Sequence, residues 1–230
     1  KKTSEIIDGD CYKTYLVNKD DELDIISTNQ SVYGYLAVSS GFKVEKFMGS
    51  YSTTTRAGVG GNNGNKILVN QKIYINNSKA ILKNKEINFL NSKIEFIRIL
   101  KGTNFDYFSE NSIQKFFSEE FTVTKLTDRM GMRLKGPMLE NNKETNIRSE
   151  GLIKGVIQVP ADGNPIIMLS DHGTIGGYPK IGVIISADYD KLVQLPPSSK
   201  IKFKLVELEE AEKLFKFYKM ETDNLLNQIR

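Results

Sequence analysis

The sequence predicts a mainly β fold that ends in a helix, and two features support this. First, short apolar runs bounded by Gly, Pro and Asp recur along the chain, most clearly at Gly151–Val159, Pro165–Leu169 and Ile181–Ser186. Apolar runs of this length that are bounded by turn-forming residues are typical of strands. Because they are apolar on both alternating faces, we expect strands that are buried on both sides or closed into a barrel. Second, the tail, Val206–Arg230, carries an apolar stripe at helical spacing and should pack on its own sheet.

The composition excludes several classes of function. The 230 residues carry a net charge of +4, with no run of five or more like charges, which argues against nucleic acid or an anionic membrane as the main partner. No apolar run approaches the about 20 residues needed to cross a bilayer. One cysteine, Cys11, and one histidine cannot supply the four ligands of a structural zinc, so we expect no metal site. The single cysteine and the lack of a signal-type segment predict a cytoplasmic protein.

Residues 1–75 are predicted to be all-β. Asp10–Val17 and Glu22–Ser27 are short strand candidates, and Ser31–Ser39 has packable side chains on both faces, as in a central strand. The glycine-rich stretch Gly49–Gly64 has neither dinucleotide-loop nor P-loop spacing, which favours a glycine-supported loop on a barrel. The polar stretch Asn76–Lys85 is predicted to be a linker or a variable surface loop.

The remainder of the chain mixes strands with one short helix. Ile94–Leu100 and Phe121–Leu126 are predicted strands, and Ser109–Glu119 is a predicted helix that Ser109 or Asn111 could cap. In the tail helix, Glu209–Lys213 is one of two favourable i,i+4 pairs.

Two arginines form a candidate anion site. If the chain is extended here, Arg129 and Arg133 project from one face about 13 Å apart, with Gly131 between them. This spacing leaves room for a carboxylate or a phosphate. The alternative is that the arginines pair with internal acids such as Asp128, and the sequence leaves both interpretations open.

The Asp171–Pro179 loop is a second candidate site. Gly176 and Gly177 predict a tight turn that needs positive φ. Asp171 could brace this turn or act on substrate, while the neighbouring His172 is a possible general base or simply a polar surface group.

Three more residues complete this candidate site. We expect Thr174 at the rim of the core that the strands form, and Tyr178 could be a stacking wall or a core aromatic. Gln158, in an apolar strand, must find hydrogen-bond partners if it is buried, which makes it a candidate ligand contact.

Several collinear motifs resemble one known family. Thr127–Pro137, TDRMGMRLKGP, is similar to the DRMGxRLxGP signature of the KipA family, also known as allophanate hydrolase subunit 2-like, biotin-dependent carboxyltransferase-like or the C-type subunit of 5-oxoprolinase. Further agreement comes from Tyr35–Val38, Met48–Thr53, Gly58–Gly61, Gly155–Pro160, Gly163–Ile166, Asp171–Pro179 and Gln194-Leu195. The chain departs from the family at Gly173, often a long polar residue, and at Lys154, where Pro is common. Family members also carry roughly 70–80 further residues before Lys1, so we expect a processed or truncated product.

The resemblance implies two cyclophilin-like β-barrel domains with a C-terminal helix. Residues 1–90 would form an incomplete first barrel, 91–206 the second barrel and 207–230 the helix. It further implies a complex with a KipI-like protein, which is the B-type subunit of 5-oxoprolinase, and with a LamB/YcsF-type protein, which is the A-type subunit. The complex would open 5-oxoproline to glutamate with ATP and Mg, which a partner protein binds or shares.

Three functions remain open under this resemblance. The first is a subunit of the 5-oxoprolinase complex, inactive alone. The second is a biotin-dependent carboxyltransferase subunit of the urea carboxylase type, although this chain has no Met-Lys-Met segment for attaching biotin. The third is a regulatory protein that binds and antagonises a KipI-like kinase inhibitor. For the enzymatic functions, the predicted catalytic residues are Asp171, Arg129 and Arg133, and the predicted substrate-binding residues are Gln158, Thr174, Gly176, Gly177 and Tyr178.

Overall fold

A computed structural model describes residues 8–27, 31–76, 86–87 and 95–228 of the chain. The chain divides into two compact units. The larger, here called the barrel unit, comprises Lys1–Tyr12, Asp21–Tyr33 and Glu86–Arg230, and the smaller, here called the loop unit, comprises Lys13–Asp20 and Gly34–Lys85. The predicted division at residues 90 and 206 stays a prediction. Most of the predicted linker Asn76–Lys85 lies outside the described residues.

The barrel unit is built on one large sheet. In chain order, the described strands are β1 (Thr53–Thr54), β2 (Val59–Gly60), β3 (Ile97–Lys101), β4 (Phe121–Val123), β5 (Gly131–Lys135), β6 (Glu150–Gly151), β7 (Val156–Gln158), β8 (Ile166–Met168), β9 (Ile175–Gly176), β10 (Lys180–Ile184), β11 (Lys200–Ile201) and β12 (Phe203–Leu205). The described helices are α1 (Glu110–Ser118), α2 (Ser186–Leu192) and α3 (Leu208–Gln228).

Eight of these strands form a nearly closed barrel. Their order is β11-β4-β5-β8-β7-β10-β3-β12, and all neighbours are antiparallel except the parallel pair β12 and β3. The two edge strands, β11 and β12, are separated in sequence by Lys202 alone, so one continuous segment supplies both edges of the sheet. The backbone carbonyl of Lys202 accepts a hydrogen bond from the Ile97 N–H at 2.8 Å. The mainly β fold with a C-terminal helix is therefore confirmed.

The main hydrophobic core fills the inside of this sheet. Phe116 of α1 stacks on Phe203 with ring centroids 4.4 Å apart and meets Phe121 at 5.7 Å. The Ser109 hydroxyl accepts a hydrogen bond from the Ser112 N–H, so the predicted cap of α1 is confirmed. Around this aromatic cluster lie buried aliphatic side chains from neighbouring strands, including Ile97, Ile99, Met132, Leu134, Ile157, Ile167 and Ile181.

Helix α2 differs from the sequence prediction, which extends a strand through Ser186. The strand ends at Ile184, and the chain turns into a helix that carries the buried Asp188. The Asp188 carboxylate accepts hydrogen bonds from the backbone N–H and the guanidinium of Arg98 on β3, which fixes the helix against the sheet. The sequence gives no sign of this change, because apolar residues continue from the strand into the helix at Ala187 and Leu192, and both are buried.

Helix α3 confirms the predicted tail helix, but only some of the residues in its apolar stripe are buried. Ala211 is buried, and Leu214 and Tyr218 pack beside it against Ile185 and Val206. Leu208 is 61% exposed and Phe215 is 41% exposed, and Ile229, which falls within the predicted tail, lies outside the described residues. The predicted Glu209–Lys213 pair is present at 2.8 Å. Within the described ranges, no helix is both long enough and apolar enough to cross a bilayer.

The strands predicted for the first third of the chain are mostly wrong. The described residues of Asp10–Val17, Glu22–Ser27 and Ser31–Ser39 form no strand, because no neighbouring strand in the described chain pairs with them. The loop unit contains only the two-residue strands β1 and β2 among its described residues.

The glycine-rich stretch forms the loop that its composition predicts. Gly60 has φ +110°, and a Cβ there would lie 2.3 Å from the Ser52 carbonyl oxygen. Gly64 packs equally closely on the backbone of Gly58, so these glycines support the loop by contacts within it.

Candidate functional site

The outer face of the barrel sheet carries a row of side chains across four neighbouring strands. Arg133 on β5 lies opposite Ile166 on β8, Ile166 opposite Gln158 on β7, and Gln158 opposite Lys180 on β10. Residues directly opposite one another place their side chains on the same face. Since strands lie about 4.8 Å apart, the row spans roughly 14 Å.

Buried neighbours show which face this is. Met132, Ile157 and Ile167 alternate with the members of the row and point into the main core. The row therefore points away from that core. It lies beside a small apolar cluster formed by Leu152, Val156 and Met168, with Ile166 and Val183 packed against it.

Lys180 ends the row as a buried cation. Its side chain is only 5% exposed, and its Nζ lies 2.7 Å from Oε2 of Glu150, a residue that is itself 46% exposed. The buried Asn104 fixes the Lys180 backbone, because its side-chain oxygen accepts from the Lys180 N–H and its own N–H donates to the Lys180 carbonyl. A buried charge is tolerated only when it is paired, so Glu150 stabilises this lysine.

A β-bulge aims Lys180 outward. Lys180 lies opposite Gln158, but Gly182 lies opposite Ile157, so Ile181 is an extra residue on β10. Such a bulge redirects a neighbouring side chain. It allows Ile181 to fill the core while Lys180 lies on the opposite face beside Gln158.

Gln158 lies beneath a two-stranded cover formed by β6 and β9. It is 4% exposed, and its Nε2 donates to the Tyr178 carbonyl at 3.3 Å. In the cover, Glu150 pairs with Gly176 and Gly151 pairs with Ile175. The predicted need of Gln158 for a hydrogen-bond partner is therefore met by the loop backbone.

Gly176 and Gly177 are required for close packing, and the predicted positive φ at these residues is wrong. The glycines of positive φ in the described chain lie elsewhere. A Cβ on Gly176 would lie 2.7 Å from Nε2 of Gln158, and one on Gly177 would lie 2.9 Å from the Ile147 carbonyl oxygen. Each glycine thus lets the cover approach the layer beneath it.

Arg129 and Asp171 form an ion pair at the end of the β5–β8 ladder. Arg129 Nε lies 2.7 Å from Oδ2 of Asp171 and Nη2 lies 3.1 Å from Oδ1, while the Asp171 N–H donates to the Arg129 carbonyl. This guanidinium hydrogen bond lowers the pKa of Asp171 below its ordinary value, against the opposing effect of burial. The lowered pKa makes the Asp171 carboxylate a weaker base, and Arg129 holds both of its oxygens, which together favour the bracing role of Asp171 over that of a general base.

The two arginines do not share an extended strand, so the expected geometry is wrong. The Asp128 carboxylate accepts from the N–H groups of Met130 and Gly131 at 2.8 and 3.0 Å, which bends the chain before β5 begins. Arg133 lies in the outer row, and Arg129 belongs to the bend.

The other predicted loop residues contribute mainly through their backbones. The Thr174 carbonyl accepts from the Leu152 N–H at 2.9 Å, and Thr174 itself is exposed. Tyr178 is too exposed to be a core aromatic. His172 Nδ1 lies 2.6 Å from the carbonyl of the adjacent Gly173.

Sequence reasoning missed Lys180, Glu150 and Asn104. A lysine directly after Pro179, at the start of an otherwise apolar run, was the one available signal. Glu150 lies 30 residues from Lys180 along the chain, and Asn104 lies 76 residues away. In the part of the chain that the structure describes, no three His, Cys, Asp or Glu side chains are grouped to hold a metal ion.

Residues 6–205 match the family described as carboxyltransferase domain, subdomain A and B. The chain belongs to this family, as its motifs predicted. It is 33% identical to the C-type subunit of 5-oxoprolinase from Haemophilus influenzae over 95% of this chain and 69% of that protein. It is 36% identical to the corresponding C-type subunit from Escherichia coli over 78% of this chain and 58% of that protein.

A solved structure supports the fold. The K. lactis urea amidolyase superposes with a TM-score of 0.70 at 23% identity, over 81% of this chain and 13% of that chain.

Proposed function

We propose that this chain is the C-type subunit of an ATP-dependent 5-oxoprolinase complex that opens 5-oxoproline to glutamate. The observation that carries the proposal is the likeness to two proteins named as C-type subunits of 5-oxoprolinase, which extends over 95% and 78% of this chain. Because the chain spans 69% and 58% of those relatives, the activity of the assembled enzyme and its inactivity without partners are both part of the proposal.

The chemistry requires an activated amide. A lactam is resonance-stabilised, and phosphorylation of its oxygen makes attack by water feasible. The site therefore needs cationic groups for anionic oxygens and hydrogen-bond donors for the developing charge. The outer row offers an exposed guanidinium at Arg133, an amide at Gln158 and a buried ammonium at Lys180.

Two observations on the described residues support the proposal that ATP and Mg are bound by a partner or shared with one. The described His, Cys, Asp and Glu side chains form no group of three that could hold a metal, and Gly60 and Gly64 pack on their own loop instead of lining an open phosphate cradle. We therefore assign ATP and Mg to a partner, either the KipI-like protein or the LamB/YcsF-type protein. The proposal places the complex in the cytoplasm, consistent with the free Cys11.

Within this proposal, Asp171 orients Arg129. The two-point ion pair restricts the guanidinium, whose side chain remains 62% exposed and can still approach an anionic oxygen. Arg133 would contribute a second positive charge from the outer row. In this proposal Arg129 and Arg133 contact the anionic reacting group, and Asp171 acts by orienting Arg129 instead of as a catalytic base.

The family description favours carboxyl transfer as the second candidate function. This reaction needs similar stabilisation of an oxyanion, while the carboxybiotin donor would come from another polypeptide. No residue of this chain would then contact a nucleotide.

One experiment separates the two functions. The chain would be purified with the products of neighbouring genes and assayed for glutamate release from 5-oxoproline, with and without ATP. We expect ATP-dependent release that avidin does not inhibit. Avidin-sensitive carboxylation of urea without glutamate release would instead establish the second function and overturn the first.

A further inference from the structure

We propose that Lys180 and Gln158 form the binding site for a cyclic amide that carries a carboxylate next to its N–H. In this site, the substrate carboxylate displaces Glu150 from Lys180. The inference deepens the proposed function and rests on it for the identity of the ligand, 5-oxoproline.

The asymmetry of the Lys180–Glu150 pair suggests the exchange. The Lys180 side chain is 5% exposed and must keep a negative partner, whereas the Glu150 side chain is 46% exposed and can return to water with little penalty. A small carboxylate that enters the site can therefore take the place of Glu150 while the buried ammonium remains paired.

The neighbour of Lys180 matches the rest of such a ligand. In a five-membered lactam, the N–H and the C=O lie on the same edge of the ring. The primary amide of Gln158 likewise has one N–H and one C=O on the same edge, so the two amides can form a pair of hydrogen bonds.

The register places the two binding groups at a suitable separation. Gln158 and Lys180 lie directly opposite each other on β7 and β10, so their Cβ atoms are about 5 Å apart. In 5-oxoproline, the carboxylate is attached to the ring carbon next to the N–H. The amide and the ammonium can therefore contact adjacent parts of one ligand.

The cover couples binding to movement. Gly176 of β9 packs directly on the Gln158 amide, and Glu150 lies opposite Gly176 on β6. A ligand reaches Gln158 only if this pair of short strands shifts. Loss of the Glu150–Lys180 contact removes the ion pair that ties the cover to β10.

The test compares two ligands by calorimetry on the full chain purified with its partner proteins. The ligands are 5-oxoproline and 2-pyrrolidinone, the same lactam ring without the carboxylate. We expect 2-pyrrolidinone to bind roughly ten- to hundredfold more weakly, as for the loss of a charge-assisted contact. The Lys180→Met variant should lose this difference, and Glu150→Gln should bind 5-oxoproline more tightly because the competing carboxylate is gone.

A second ion pair provides the matched control. Lys200 and Glu120 form an exposed pair at 3.1 Å on the same barrel, so Lys200→Met and Glu120→Gln should leave both affinities unchanged. If Lys180→Met fails to fold, Glu150→Gln still tests the site, since 5-oxoproline should raise its melting temperature more than that of the unmodified protein.

Equal affinity of the unmodified complex for both ligands would overturn the site, as would a Glu150→Gln variant with no gain in affinity. Carboxylate-selective binding without any ATP-dependent glutamate release would support the site and refute the proposed function. Glutamate release with an unchanged KM for 5-oxoproline in a folded Lys180→Met variant would support the proposed function and refute the site.

Discussion

The barrel unit and the loop unit have similar apolar sequence but different packing. In the barrel unit, residues such as Ile97, Phe116 and Ile157 are completely buried. In the loop unit, Tyr35, Met48 and Val69 are each more than 90% exposed, at 94%, 92% and 92%. The comparison shows that strand-like sequence produces a core only where neighbouring strands supply a second surface for the side chains.

The largest expected difference in stability comes from truncating one aromatic side chain in each unit. Phe116→Ala should destabilise the protein by about 3–5 kcal/mol, because it removes the ring that stacks on Phe203 and leaves a cavity. Tyr35→Ala should change the free energy of unfolding by no more than about 0.5 kcal/mol, since the side chain is exposed. Urea denaturation of the full chain measures both. A large loss for Tyr35→Ala would show that the loop unit has packing partners that the described residues do not reveal.

A glycine in each unit gives the next test. A Cβ on Gly102 would lie 2.2 Å from the Lys180 carbonyl oxygen, whereas a Cβ on Gly34 would meet nothing within 4 Å. Gly102→Ala should therefore destabilise the protein by about 1–3 kcal/mol through overpacking. Gly34→Ala should be neutral or stabilise it by up to about 1 kcal/mol, because it restricts the unfolded chain. Equal melting temperatures for the two variants would contradict the contrast in packing.

The smallest expected effect on stability concerns the exposed Arg129–Asp171 ion pair of the barrel unit. Here a substitution should change the free energy of unfolding only slightly, as in the loop unit. Asp171 has its pKa lowered by Arg129, so the pair stabilises the folded state above the ordinary pKa of an aspartate. This stability is lost as the pH falls through the lowered pKa. Arg129→Ala should cost only about 0.2–1 kcal/mol at pH 7, because the arginine is largely exposed.

Denaturation curves at several pH values measure this difference. The gap between Arg129→Ala and the unmodified protein should close in acid, below an aspartate's ordinary pKa of about 3.9. A gap that persists unchanged in acid would show that Arg129 stabilises the fold through packing instead of through Asp171.

Local sequence signals identify elements that depend on nearby residues. Helix α1 is predicted with a cap at Ser109 or Asn111, and the tail helix and five barrel strands are predicted, most of them within a few residues of their ends. The family motifs also identify the fold. These features are local because caps, turns and hydrophobic periodicity act over a few residues.

The same local signals fail where pairing decides the structure. Ser31–Ser39 has the alternation of a central strand, yet no strand forms there among the described residues. Ser186 is predicted in a strand but begins α2, which Asp188 fixes to Arg98 from 90 residues away. Sequence pattern alone does not say which partner a segment will find.

The sequence by itself determined the composition of the candidate site, and the tertiary structure decided its arrangement. Gln158, Gly176 and Asp171 were recognisable from their types and positions in the chain. Only the sheet register places Lys180 opposite Gln158, and only the cover brings Glu150 to Lys180. The reason is that neighbours across a sheet are set by strand order and by a one-residue bulge, and these depend on how the whole barrel closes.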